Sequence, residues 1–502
     1  MQLPRSSGIL LHVTSLPNEF GIGDLGEGAY RFIDFLKRGG QSLWQLLPLG
    51  PSAQCDSPYS CYSAFAANPL MISPTDLVRR GLLRPEDIEP LKASGGRVDY
   101  GQVTAMRIPL LELSFERFQS SAGASLREGF KSFCAVNKPW LEDYARYKAC
   151  SDHFGIGDWS QWPDAGLVTR SEEALARWDQ QLAYPIEFAK YQQYLFMLQW
   201  QALKTYANQN GVRIFGDMPI FVAYDSADVW SNQNLFHLDA TGKRNVVAGV
   251  PPDYFSETGQ LWGNPLYRWD AMQANGYEWW IDRLQSAFCY YDLLRIDHFR
   301  AFESYWEIPA DAETAVDGCW KPGPGAAPFR AARAALGPLT IIAEDLGLIT
   351  DEVHALREEL QFPGMRVFQF GFDNEHDPYH RPSAYPPQSV AYTGTHDNDT
   401  VMGWYNQRRA VLEHDPLLDA VVPRDTPQPH RRLVGAVLES QSETAIIPMQ
   451  DVLGLGSEAR MNVPGLAEGN WAWRCPDDGF NDDVAQWLHS ITEQTGRLPN
   501  HA

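Results

Sequence analysis

The stretch Leu293-Leu-Arg-Ile-Asp-His-Phe-Arg300 decides the fold. It is a short Leu/Ile-rich run that ends on a carboxylate. It follows a helical pattern over residues 278–290, in which Trp280, Leu284 and Phe288 recur at i, i+4 and i+8. Seven further runs of this kind occupy residues 8–13, 42–49, 212–222, 339–346, 365–372, 389–395 and 444–452. Helical patterns separate several of them. Residues 27–38 place Ala29, Phe32, Ile33 and Leu36 on one face and stop at Gly39-Gly40. Residues 351–360 put Val353, Leu356 and Leu360 inside, with Thr350 as N-cap. Apolar runs that alternate with helices indicate parallel strands covered on both faces, and eight of them close a barrel. The expectation is therefore an α/β fold, a (β/α)8 TIM barrel, with an open doubly wound sheet as the alternative.

Residues 75–210 carry no strand pattern. The clearest helix there is 185–208, with Pro185 in its first turn and Gly211 just past its end. The chain thus reads as one catalytic domain, 1–502, with a large, mainly helical insertion after the second strand (about 70–210). A smaller insertion (about 302–338) contains the Gly/Pro-rich stretch Trp320 to Gly325.

The bulk composition fits that reading. The chain has 502 residues, 44 % of them hydrophobic, and a mean hydropathy of −0.34, as expected of a globular protein with a sizeable core. Its 17 Trp and 21 Tyr suit stacking against sugar rings, although large cores use aromatics too. A formal charge of −22 argues against nucleic acid or an anionic membrane as partner, since both would be repelled. Seven Cys without CxxC spacing indicate a reducing compartment, hence a cytoplasmic protein. No signal peptide is expected at residues 1–11, and no apolar run is long enough to span a bilayer.

Gly21-Ile-Gly-Asp-Leu-Gly26 matches GxGxxG and precedes a helix. A dinucleotide site needs its glycines directly after the strand, whereas here residues 12–20 intervene. The match reads as a barrel loop.

Four runs end in carboxylates: Asp217, Asp297, Glu344 and Asp397. Barrel chemistry sits at the C-terminal strand ends, and folding alone would not favour such a concentration of like charge. Arg295 lies two residues before Asp297 and should share the barrel interior with it, favouring the ionised carboxylate, as a nucleophile requires. Ile342 holds the equivalent place before Glu344, so burial and nearby carboxylates should raise the pKa of Glu344, as suits a general acid. Two carboxyls with pKa values pushed apart are what glycoside cleavage needs. Neither EF-hand spacing nor HExxH nor GxSxG occurs, and Asp399-Thr400 reads as a cap for the helix starting at Val401.

These residues resemble the 4-α-glucanotransferase (amylomaltase, disproportionating enzyme) family, glycoside hydrolase family 77 of the α-amylase superfamily. The likeness spans nearly the whole chain. It rests on the loop at 21–26, Asp56-Ser-Pro-Tyr-Ser60, Gly216-Asp-Met-Pro-Ile-Phe-Val222, Ala248-Gly-Val-Pro-Pro-Asp-Tyr-Phe-Ser256 and Leu261-Trp-Gly-Asn-Pro-Leu-Tyr267. It continues through Arg295-Ile-Asp-His-Phe-Arg300, Ile342-Ala-Glu-Asp-Leu-Gly347, Thr395-His-Asp-Asn-Asp-Thr400 and Ala459-Arg-Met-Asn462. The resemblance implies Asp297 as nucleophile, Glu344 as acid/base and Asp397 as the third carboxylate, holding sugar hydroxyls. It implies Arg295, His298, His396 and Asp217 around the cleavage subsite. Ser57, Tyr59, Trp262, Asn264 and Asn462 would contact glucan, and a loop at 249–265 carrying Asp253 and Glu257 would lean over the cleft. The chain departs from the family's pattern at Trp320-Lys-Pro-Gly-Pro-Gly325, Ala301 and Arg366.

The implied activity is transfer of 1,4-α-glucan segments to glucose or a maltooligosaccharide through a glycosyl–aspartate intermediate. A retaining α-glucan hydrolase and a catalytically silent α-glucan-binding protein are the alternatives. No metal or organic cofactor is implied.

Overall fold

The computed structural model describes residues 4–53, 55–91, 96–121, 123–252, 256–372, 379–412 and 414–499. Its strands, in chain order, are β1 (Ser6–Leu10), β2 (Leu43–Gln45), β3 (Arg213–Pro219), β4 (Val246–Val250), β5 (Gln260–Pro265), β6 (Leu293–Asp297), β7 (Ser304–Pro309), β8 (Cys319–Pro322), β9 (Ile341–Ala343), β10 (Gly364–Val367), β11 (Ser389–Tyr392) and β12 (Thr444–Pro448). Eight of them form one parallel sheet in the order β10-β11-β12-β1-β2-β3-β6-β9. The two ends of that order meet where the N–H of Ala343 donates to the carbonyl of Pro363 at 2.9 Å. This is a (β/α)8 barrel. Each of the eight strands lies within one of the apolar runs or overlaps it.

Alternation along the strands separates two cores. Leu43, Phe215, Leu293, Ile342, Met365, Val390 and Ile446 fill the barrel. Ile9, Trp44, Ile214, Leu294, Ile341, Ala391 and Ile447 face outward into the cluster that includes the surrounding helices. Each fully buried side chain of this size contributes about 1.5–3 kcal/mol. The helix Glu27–Arg38 buries Ala29, Phe32, Ile33 and Leu36, with Glu27 at its start and Lys37 and Arg38 at its end complementing the helix dipole. Gly216 faces Tyr291 so closely that a Cβ there would lie 2.2 Å from the ring, so that position of β3 needs glycine.

Between β2 and β3 the chain is helical. Its longest pieces are Tyr100–Ser121, Ala124–Val136, Lys138–Phe154 and Ala183–Gln209. Arg107, from the first of these, donates to Asp24 at 3.0 Å and to the carbonyl of Ile72 at 2.8 Å. The GxGxxG loop is thus a packing loop. Asp24 binds Arg107 and the N–H of Gly26, and a Cβ on Gly23 would sit 2.0 Å from the carbonyl of Val13.

The sequence reading treats 249–265 as a loop and 302–338 as a separate insertion. The structure joins them. β4, β5, β7 and β8 form an antiparallel sheet in the order β5-β4-β7-β8, so the two segments brace one another. Pro251-Pro252 and the glycines around β4 hide this strand signal, because Pro and Gly ordinarily punctuate strands. Among the described residues no helix is long and apolar enough to cross a membrane.

Candidate active site

Moving up the inner face of the barrel, apolar residues give way to charge: Leu293, Arg295, Asp297 on β6; Phe215, Asp217 on β3; Ile342, then Glu344 just past β9. The register places Asp217 directly beside Arg295, and paired residues in parallel strands point the same way. Arg295 binds both oxygens of Asp217, at 2.8 and 2.7 Å, and one oxygen of Asp297 at 2.7 Å. Asp217 and Arg295 are buried, while the Asp297 side chain keeps 31 % of its surface open. Burial by itself would lower the pKa of the arginine, but the carboxylates of Asp217 and Asp297 outweigh it and hold the group well above its usual value. Asp297 therefore faces the cleft fixed by a permanent cation.

Glu344 is the opposite case. Burial first, and then the charge of Asp297, push its carboxyl up to about 7, although Arg295 and two backbone N–H groups pull the other way. Those N–H groups belong to Leu346 and His298, each 2.7 Å from a different carboxyl oxygen. His298 adopts a left-handed conformation, φ 53°, which costs a residue with a Cβ about 1–3 kcal/mol and leaves its N–H on Glu344. The side chain of His298 is held down to about 4 by burial, against the pull of Asp297, and so is neutral near pH 7.

Asp397 lies beyond the strand end, on the loop after β11, rather than on the strand itself. His396 Nε2 approaches it at 3.2 Å and the amide of Asn462 donates to it at 2.6 Å. Its side chain keeps 45 % of its surface accessible, at the floor of a cleft where protein crowds the other sides. That crowding alone would raise its pKa. His396 and Asn462 reverse the effect and bring it down to about 2, so it is ionised at any working pH. In His396 burial opposes protonation, but Asp397 wins and the pKa is raised. Tyr59 closes the network, donating to Asp217 at 2.8 Å, lying 3.3 Å from His396 Nδ1 and stacking on that ring at 4.8 Å.

Other residues singled out in the sequence take these positions. Trp262 is 38 % exposed and meets His298 edge-on at 4.8 Å. Asn264 donates to the carbonyl of Val222 at 2.9 Å, fixing β5 to the loop that follows β3. Ser57 accepts from the N–H of Tyr59 at 3.3 Å, so it shapes the loop that delivers Tyr59. Glu257 is exposed in the turn between β4 and β5. Asp253, with Tyr254 and Phe255, lies outside the described residues. Of the expected pair only Thr400 caps the helix Val401–Val411, its Oγ1 accepting from the N–H of Gly403 at 3.0 Å, whereas Asp399 accepts from the N–H of Thr400 at 2.8 Å and from the amide of Gln407 at 3.0 Å.

Three participants escaped the sequence reading. Arg460 donates to the carbonyls of Asp397 and Asn462, at 2.6 and 2.7 Å. Trp471 packs on Tyr59 and His396, with centroids 5.9 and 5.8 Å away. Asp451, just past β12, accepts from the N–H of Val401 at 2.7 Å and from the hydroxyl of Thr393, and burial pushes it up to about 7. It ties the helix carrying the Asp397 loop to the barrel. Only the motif Ala459-Arg-Met-Asn462 could have signalled Arg460, and its partners lie more than sixty residues away or on the same loop.

One carboxylate held by a fixed cation, one carboxyl poised to carry a proton near neutrality and a third that is permanently ionised meet at one end of the barrel. That set can break and remake an acetal bond. A sequence model of the family described as 4-alpha-glucanotransferase matches residues 11–479. The chain is 47 % identical over 502 residues to a 4-alpha-glucanotransferase of Synechocystis, covering 99 % of each chain. It is 46 % identical to one of Thermus thermophilus, covering 99 % of this chain and 100 % of the other. It superposes on an amylomaltase from Streptococcus agalactiae solved in complex with acarbose, with a TM-score of 0.94, 38 % identity and 99 % and 100 % coverage.

Proposed function

The chain belongs to the 4-alpha-glucanotransferase family, and from that premise we propose that it moves segments of 1,4-α-glucan onto the 4-hydroxyl of glucose or a maltooligosaccharide by retaining double displacement. The observation that carries this reading is the contrast between Asp297, open to the cleft and ion-paired to Arg295, and Glu344, whose carboxyl burial and the charge of Asp297 push up to about 7. In the first step the Asp297 carboxylate attacks the anomeric carbon while Glu344 gives its proton to the departing 4-oxygen. The shortened glucan leaves with a free 4-hydroxyl, and the retained segment is an ester of Asp297. In the second step the acceptor's 4-hydroxyl loses its proton to ionised Glu344 and attacks the same carbon, which frees Asp297. Asp397 holds ring hydroxyls as the sugar distorts, with His396 and Asn462 keeping it ionised and aimed. The seven cysteines, all free thiols, support a cytoplasmic site of action.

Incubation with maltotriose tests the proposal. A ladder of longer oligosaccharides plus glucose, with no rise in total reducing ends, is the expected product. Rising reducing ends without a ladder would replace transfer by hydrolysis.

The acid role of Glu344 also sets a pH profile. The free enzyme must hold that proton, so kcat/KM for maltotriose is expected to fall on the alkaline side of about pH 7, losing one proton's worth of slope. An alkaline limb near pH 9 would assign the acid elsewhere. Trp262 offers a partly exposed ring beside His298, where it can stack on a sugar and keep water off the ester. Trp262→Ala is expected to lose roughly tenfold in kcat/KM for maltotriose and to raise the share of hydrolysis. An unchanged ratio of glucose to total reducing ends would show that the ring does not screen the intermediate.

A further inference from the structure

Beside the loop after β2, which carries Tyr59 and contributes Ser63 and Phe65 to the lining, lies a cavity of about 650 Å³, walled by the helices Ala124–Val136, Lys138–Phe154, Ala183–Gln209, Ala227–Ser231 and Glu278–Tyr290. None of the carboxylates of the active site lines it. Its volume falls in the range of small-molecule sites. Its lining combines aromatic rings (Trp140, Trp279, Tyr290) with amides and carboxylates (Asn137, Asp282, Gln285) and includes no Lys, Arg or His. An anionic ligand would meet only negative charge there. A neutral ligand with apolar ring faces and many hydroxyls would find both the surfaces and the hydrogen-bonding groups that it needs.

Of the rings just named, Trp279 and Tyr290 are more than nine-tenths buried and Trp140 is partly exposed, so Trp140 offers the face on which a sugar can stack. We propose that this cavity is a second maltooligosaccharide-binding site, separate from the catalytic cleft. It rests on the proposed function only for the choice of sugar. The cavity shares Ser63, Phe65, Ser286 and Tyr290 with a smaller one of about 70 Å³, whose lining includes Tyr59 and Asp217. The loop after β2 therefore has one end in the active site and the other in this cavity, with the carbonyl of Phe65 accepting from Tyr290 at 3.3 Å.

Cys289 is exposed on the cavity's lining and supplies the test. In a turnover-silent Asp297→Asn background, alkylation of Cys289 by a maleimide, followed by peptide mass mapping, is expected to slow severalfold with maltoheptaose and not with sorbitol. Trp140→Ala should remove that protection. In the otherwise native enzyme it should raise KM for amylose about tenfold while leaving kcat on maltotriose unchanged. Gln285→Ala, an exposed change that spares packing, should weaken protection in the same direction and covers the case in which Trp140→Ala does not fold. Unaltered alkylation at saturating maltoheptaose, with maltotriose disproportionation intact, overturns the cavity proposal alone. Protection by maltoheptaose in a chain that fails to disproportionate maltotriose overturns the proposed function and leaves the cavity standing.

Discussion

Asp297→Asn is expected to slow maltotriose disproportionation by roughly 10⁴- to 10⁶-fold, the range seen when an enzyme loses a covalent nucleophile or the group that orients it. The amide keeps the shape of the side chain and can still meet Arg295, so the chain should fold. What it loses is the capacity to form a glycosyl ester. A second signature accompanies the loss. The charge of Asp297 is one of the causes that raise Glu344, so its removal should bring the Glu344 carboxyl back down. Initial rates of glucose release, together with carboxyl titration by NMR, would check both. A variant within tenfold of the parent would mean that Asp297 only positions substrate.

The other large effect belongs to Arg295. Arg295→Met leaves Asp217 fully buried without the guanidinium that binds both its oxygens. Breaking a buried pair from one side costs about 3–5 kcal/mol, or about 3–5 °C in thermal midpoint at roughly 1 kcal/mol per degree for a chain of this length. Activity should fall as well, because Asp297 loses its cation. The pH dependence separates this account from a packing defect. In the variant the buried, unpaired Asp217 has a folded-state pKa above its unfolded value. The variant's deficit should therefore be present at neutral pH and shrink as pH falls through that raised value, because the carboxyl takes up a proton and is no longer a buried charge. A deficit that stays constant down to pH 4 would sink the electrostatic explanation. The double variant Asp217→Asn/Arg295→Met should recover part of the loss.

The barrel was legible because its strands are buried on both faces, which makes each a short apolar run, and because strand period two tells which residues share a side. That rule alone placed Arg295 beside Asp297, and Glu344 above Ile342. It could not place Asp397, whose strand ends at Tyr392; the carboxylate rides on a loop held by His396, Asn462 and Arg460. Nor could it find the sheet β5-β4-β7-β8. β5 is largely exposed, so burial does not impose a clean alternation on it, and Pro251-Pro252 reads as a break. Contacts such as Trp471 on Tyr59 join residues about four hundred positions apart, and no local pattern encodes them. The roles of Asp297, Glu344 and Asp397 came from chemistry and resemblance together. Asp253 lies outside the described residues, and Glu257 sits in an exposed turn.

The left-handed turn at His298 has one further bearing. Its N–H rests on Glu344, and His298 is the next residue after Asp297. The two carboxyls are therefore mounted on a common chassis, and their spacing is inherited through main-chain atoms that most substitutions leave alone. Descendants of this chain can trade loop residues and so change which glucans they accept. The stereochemical outcome follows from that spacing, which this peptide bond shares with the pairing of β6 and β9 and with the N–H of Leu346.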